Sequence, residues 1–132
     1  MARLLLLDDD CGRLALLAAG MLALEGAPGF SEAIPCGQGE PPSDPLPAAI
    51  LAEVGLLLPP RVCPFAAVHR EHGDLLVSLG GAPHPEARLH LPCPPLPGDA
   101  LPLVLRASVR IARDRLARLL QEALPALSSR RG

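Results

Sequence analysis

The stretch that most constrains this chain runs from residue 3 to residue 25, RLLLLDDDCGRLALLAAGMLALE. Leu4 to Leu7 are four consecutive apolar residues, which reads as a short strand buried on both faces. Asp8 to Gly12 are loop residues. From Arg13 the period becomes helical, with Leu14, Leu17, Met21 and Leu24 at intervals of three and four. Strand, tight loop and helix in this order form the unit that α/β proteins use to hold anions, because backbone N–H groups at the helix start point at the ligand. Here the loop itself carries three carboxylates. Scaffold and loop chemistry therefore point in opposite directions.

The other segments fix the class. Gly26 to Gly29 stop the first helix, and Phe30 to Pro35 suggest a short second strand. A Pro/Gly-rich loop from Cys36 to Pro47 follows. Ala48 to Leu56 then reads as a helix, capped at Ser43 or Asp44, with Ile50, Leu51 and Val54 on its apolar face. Cys63 to Glu71 suggests a short helix. Leu75 to Leu79 is a second buried strand, stopped by Gly80-Gly81, and Leu89 to Leu91 a weaker one. The last helix spans Ala100 to Leu124, beginning near Pro102. Its stripe is Leu105, Val109, Ala112, Leu116, Leu119 and Ala123, with Arg106, Arg110, Arg113 and Arg118 outside it. Alternation of strands and helices predicts a three-layer α/β/α domain with a small parallel sheet of about four strands. That domain covers residues 1–127, and Ser128 to Gly132 reads as a frayed polar tail.

At 132 residues the chain has room for one core. Its net charge is −2 and all twelve basic residues are Arg, a balance that offers no electrostatic footprint for nucleic acid or for an anionic membrane. The apolar start, Leu4 to Leu7, is too short for an export signal, and Leu14 to Leu24 too short to span a bilayer. The expected location is the cytoplasm. Cys11, Cys36, Cys63 and Cys93 are widely spaced, with no CxxC pair, and read as free thiols.

With these segments in order, the chain resembles the low-molecular-weight tyrosine phosphatases and the related thioredoxin-coupled arsenate reductases over nearly its whole length. That family opens with a hydrophobic strand, a C-x5-R-S loop and a long helix. Pro45 to Leu56 is similar to its "P-x-A-x-x-x-L-x-E-x-G" segment, Asp74 to Leu79 to its "D-x-V-x-x-L/M" strand, and Arg106, Arg110, Arg113 and Asp114 to its closing helix. Aligning Arg13 with the family's loop arginine places Leu7 at the nucleophilic cysteine and Leu14 at the serine. Only Gly12 and Arg13 survive from the loop motif. The family's Asp-Pro general acid has Cys93-Pro94 as its nearest counterpart, with Asp99 off register. The resolving thiols of the reductases would fall within Leu79 to Leu91, where this chain has no cysteine. Asp8, Asp9 and Asp10 would each oppose a bound oxyanion by on the order of 1–4 kcal/mol at ~4 Å, depending on the local dielectric.

Two readings follow. The first is a catalytically degenerate relative that acts by binding at the Asp8–Arg13 loop, its ligand either a protein partner, a second copy of the chain included, or a divalent cation on Asp8 and Asp10. It requires no cofactor. The second is an active phosphatase or arsenate reductase with displaced groups, Cys11, Arg13 and Asp99. Cys11 stands two residues from Arg13 rather than six, and the neighbouring aspartates would raise its pKa. The Leu-Asp run also resembles the first strand of receiver domains, and Asp8-x-Asp10 the pair of haloacid-dehalogenase-type phosphatases. Both families need a Lys, and this chain has none. His69, Glu71 and His72 miss the spacing of zinc-protease motifs, and His84, His90 and Cys93 lie among prolines; both groups read as structural or solvent-facing.

Overall fold

A computed structural model of the chain describes residues 2–98 and 100–131. Five parallel strands form one sheet: β1 (Ala2–Asp8), β2 (Phe30–Gly37), β3 (Cys63–Pro64), β4 (Leu75–Gly80) and β5 (Leu89–Pro92). Their order across the sheet is β3-β2-β1-β4-β5, with β1 in the middle. The expected three-layer α/β/α domain is present, with one strand more than the four expected.

Alternation along β1 builds two cores. Leu4 and Leu6 face the helices α1 (Arg13–Glu25), α2 (Leu46–Ala52) and α3 (Pro102–Arg131), while Leu5 and Leu7 pack with Cys36 and Leu76 on the opposite face. The layers are unequal. The first two crossovers step away from β1 in one direction, so right-handed connections put α1 and α2 on the same face. The later crossovers step the other way, and the second layer they make is thin: a 3₁₀ turn at Phe65–Ala67, with Val68 and Ala87. α1 is buried from Leu14 through Leu22, more completely than an amphipathic stripe predicts, because α2, α3 and the sheet enclose it.

Several boundaries differ from the sequence reading. Cys63–Pro64 is a strand and not the start of a helix, with only the 3₁₀ turn after it. β2 runs two residues beyond Pro35; along Phe30–Pro35 it is an edge strand, where a proline is tolerated, since β3 reaches only Cys36 and Gly37. α2 ends at Ala52, so Val54 lies outside it and is exposed. Asp44 does serve its start, accepting from the Leu46 N–H at 3.0 Å.

α3 departs furthest from expectation. Pro125 should stop it, since proline cannot donate the helix bond, yet the helix continues to Arg131 through the segment read as a tail. Leu124 and Leu127 on either side of the proline are both buried, and the Ser128 hydroxyl donates to Pro28 O at 2.9 Å. Burial of Leu124 and Leu127 holds the helix across the break. The buried stripe is Val109, Ala112, Leu116, Leu120, Leu124 and Leu127, while Leu105, Leu119 and Ala123 are only half-buried. Arg113, read as solvent-facing, is buried. It donates to Ile50 O at 3.1 Å and to Asp114 at 2.9 Å, and it lies 3.6 Å from Glu53. Replacing Arg113 with Met should cost about 1–3 kcal/mol in urea unfolding, because Ile50 O would lose a buried donor while the aliphatic volume stays.

Among the described residues, no helix is long and apolar enough to cross a membrane.

Candidate functional site

Strand order reverses about β1, so the crevice that open α/β sheets use for ligands lies at the carboxyl ends of β1 and β4. The Asp8–Gly12 loop sits there, clamped by close backbone packing. Gly12 is the N-cap of α1, with φ 114°, a region open to glycine, and it lies directly beneath Val62. Gly37, at the end of β2, is overlaid by the Cys11 carbonyl group. The Gln38 N–H donates to Asp10 O at 2.8 Å and fixes the loop to β2.

Each of the three carboxylates has a separate task. Gly12 has no side chain to cap α1, and Asp8 caps it from four residues upstream. Its Oδ2 accepts from the Ala15 N–H and its Oδ1 from the Asp10 N–H, both at 3.0 Å. At 1% exposure Asp8 is among the few buried charged groups, and burial raises its pKa above the usual carboxylate value against the pull of these N–H donors. Asp9 crosses to β4 and accepts from the Gly81 N–H at 3.0 Å and the Ala82 N–H at 3.3 Å. Asp10 takes both arms of Arg13, Nε at 3.1 Å and a terminal nitrogen at 2.8 Å. Desolvation works against its ionisation, and the Arg13 bond overcomes that and lowers its pKa. Arg13 also lies 3.9 Å from Asp44.

The Ala15, Asp10, Gly81 and Ala82 amides and one side of the Arg13 guanidinium are thus taken by carboxylates of the chain itself. Asp8, Asp9 and Asp10 come from one loop, yet each turns to a different set of donors. Among the described residues, no three His, Cys, Asp or Glu side chains gather as a metal ion would require. Cys11 is half-buried, and burial, followed by the charge of Asp10, pushes its thiol pKa up, away from nucleophilic use. Leu7, at the aligned nucleophile position, is buried in the second core. Asp99 lies outside the described residues.

The histidine groups are also separated. His90 Nε2 donates to Gly80 O at 2.9 Å, since a carbonyl only accepts, which leaves Nδ1 to accept from the Ser78 hydroxyl at 2.7 Å. His84 Nδ1 accepts from the Glu86 N–H, and its ring meets Phe65 edge-on. Cys93 is buried in the helical core. Neither the Asp9 bridge to β4 nor the Gly37 contact is evident from the sequence. The only local signs are the glycines at the ends of β2 and β4.

No protein-family model and no curated protein matches this sequence. Solved structures do match it. An arsenate reductase in its oxidized state superposes with a TM-score of 0.73 at 15% identity, over 96% of this chain and 99% of the other. The fold is that of the arsenate reductases. An arsenate reductase in the reduced state gives 0.69 at 17% identity, and one in the phosphate-binding state 0.68 at 16%, with the same coverage. The arsenate-reductase-like architecture therefore accounts for 96% of the chain. It places the loop after β1 and the start of α1 at the centre of the sheet's carboxyl edge, as the order of segments implied.

Proposed function

We propose that this chain is a catalytically silent relative of the arsenate reductases and low-molecular-weight tyrosine phosphatases that acts by binding a protein partner. One observation carries the reading: the Arg13 guanidinium, the donor that would hold an oxyanion most strongly, already holds a carboxylate. Asp8 takes the amides at the start of α1, Asp10 takes Arg13, and Asp9 takes the amides after β4. A phosphate entering the loop would have to displace Asp10 from Arg13 and face two further negative charges. A cation on Asp8 and Asp10 is less well supported, because it would have to draw Asp8 from the Ala15 and Asp10 N–H groups and Asp10 from Arg13. Cys11, the displaced nucleophile of the enzyme reading, has a raised thiol pKa.

Binding is further supported by exposed apolar side chains on two neighbouring segments. Leu57 and Leu58 follow α2, and Leu101, Leu103 and Val104 open α3. The paired bonds from Arg110 to Glu53, at 2.8 and 2.6 Å, hold the end of α2 to the first half of α3. Exposed apolar groups on adjoining elements are the raw material of protein interfaces.

Thermal melting with phosphate, arsenate, Mg²⁺ or Ca²⁺ titrated in tests the reading. A ligand of the native state alone adds about 2.7 kcal/mol at a hundred times its Kd. We expect no shift for the wild-type chain with any of the four. Asp10→Asn, which frees Arg13, should gain a phosphate-dependent rise that Arg13→Ala lacks. A wild-type rise with phosphate or arsenate that vanishes in Arg13→Ala would overturn the proposal. A rise with a divalent cation that Asp10→Asn abolishes would put the cation in the partner's place.

A further inference from the structure

β3 is attached to the sheet by two register pairs only, Cys36 with Cys63 and Gly37 with Pro64. Neighbouring strands lie ~4.8 Å apart, and a disulfide needs Cα atoms roughly 4.4–6.8 Å apart, so the register alone brings the first pair within bonding range. Register partners project to the same face of the sheet. Both thiols now point back along their own strands, Cys36 donating to Ile34 O at 3.6 Å and Cys63 to Arg61 O at 3.8 Å. Their exposures differ: Cys36 is fully buried, while Cys63 is partly open. The other two cysteines are elsewhere, Cys93 in the helical core and Cys11 in the loop beside Asp10.

We propose that Cys36 and Cys63 form a reversible disulfide that staples the edge strand β3 to the sheet, with a low-molecular-weight disulfide as the oxidant. The Cys63 thiolate attacks one sulfur of that small disulfide and expels a small thiolate, leaving a mixed disulfide on Cys63. Cys36 then attacks the Cys63 sulfur, its proton passing to the second departing thiolate. Two protein thiols are oxidised and one small disulfide is reduced to two thiols. Burial holds the Cys36 thiol at about 12, so closure is the slow step and accelerates as pH rises.

The staple would act on a particular part of the molecule. Arg61, Val62, Cys63 and Pro64 form one wall of a cavity of about 600 Å³ whose other side includes Asp44, the residue near Arg13. In the reduced chain two register pairs anchor this wall. In the oxidised chain a covalent bond closes the loop from residue 36 to residue 63, removing freedom mainly from the unfolded state.

Oxidised glutathione is the probe, applied to the full chain, followed by alkylation of the remaining thiols and peptide mass spectrometry. We expect a monomer lighter by two hydrogens, two of the four thiols protected, a Cys36–Cys63 cross-linked peptide, and a melting temperature several degrees higher that returns on reduction. Cys36→Ser, with Cys36→Ala as the variant free of a buried hydroxyl, should stop at one glutathionyl group on Cys63. Cys63→Ser should protect no pair. A wild-type chain that stops at the Cys63 adduct, or that links Cys11 or Cys93 instead, would overturn the assignment.

Discussion

Gly37→Ala should destabilise the domain by about 2–4 kcal/mol, more than any other small change in the loop's surroundings. A Cβ at this position would run into both the carbonyl carbon and the oxygen of Cys11. Those are backbone atoms of a loop held on three sides: Asp10 O by the Gln38 N–H, Asp9 by Gly81, and Gly12 by Val62. No rotamer change can relieve the clash, so either the loop lifts or β2 tilts. Overpacking usually costs ~1–3 kcal/mol, and forcing rigid backbone apart belongs at the upper end or beyond. Urea denaturation with an unchanged m-value would measure it. A loss below about 1 kcal/mol would mean that the loop is not clamped as described. Gly98→Ala is the control, since nothing lies near its added carbon and its φ is not in the left-handed region.

The second large effect belongs to Asp8. Asp8→Ala leaves the Ala15 and Asp10 N–H groups without the carboxylate that satisfies them, at ~1–3 kcal/mol for the buried Ala15 donor and less for the part-buried Asp10 one. Removing a costly buried charge offsets part of this, and the expected net loss is about 2 kcal/mol at neutral pH. The pH dependence is more diagnostic. Because burial raises the folded-state pKa of Asp8, its contribution is fully present below the unfolded carboxylate value of ~3.8 and is lost as pH rises through the folded value. The stability gap between wild type and Asp8→Asn should therefore narrow on going from pH 3 to pH 7. Asp10, Glu53 and Asp74, all with lowered pKa values, act in the opposite sense, so their contributions are lost as pH falls through their folded values. Comparing the two chains at each pH cancels most of that background. A gap that widens towards neutral pH would contradict the buried-carboxylate account.

Much of the architecture was legible in the residues. Leu4–Leu7 and Leu75–Leu79 announced strands covered on both faces, and the order of segments led to the three-layer parallel fold. Tertiary burial overrode local signals elsewhere. Pro125 should have ended α3, but Leu124 and Leu127 hold it in place; Arg113 looked like part of a solvated face, but it spans to a carbonyl of α2. At the site, composition was legible and direction was not. Three consecutive aspartates read as negative charges all facing one bound oxyanion. In the structure each turns to a different donor set, and one of these, after β4, is more than seventy residues away. A pairing at that separation leaves no periodic trace in the sequence.

The edges of the sheet also limit how any partner can dock. β3 is two residues long and ends in Pro64, while β5 ends in Pro92, with Pro94, Pro95 and Pro97 close behind. Proline has no N–H to offer an incoming strand, so neither margin can be extended where it leaves the sheet. The open part of β2 carries exposed Glu32 and ends in Pro35. Strand addition is therefore disfavoured at these proline-bearing ends, and any partner would have to grip side chains on the helical face or around the carboxyl-end loops.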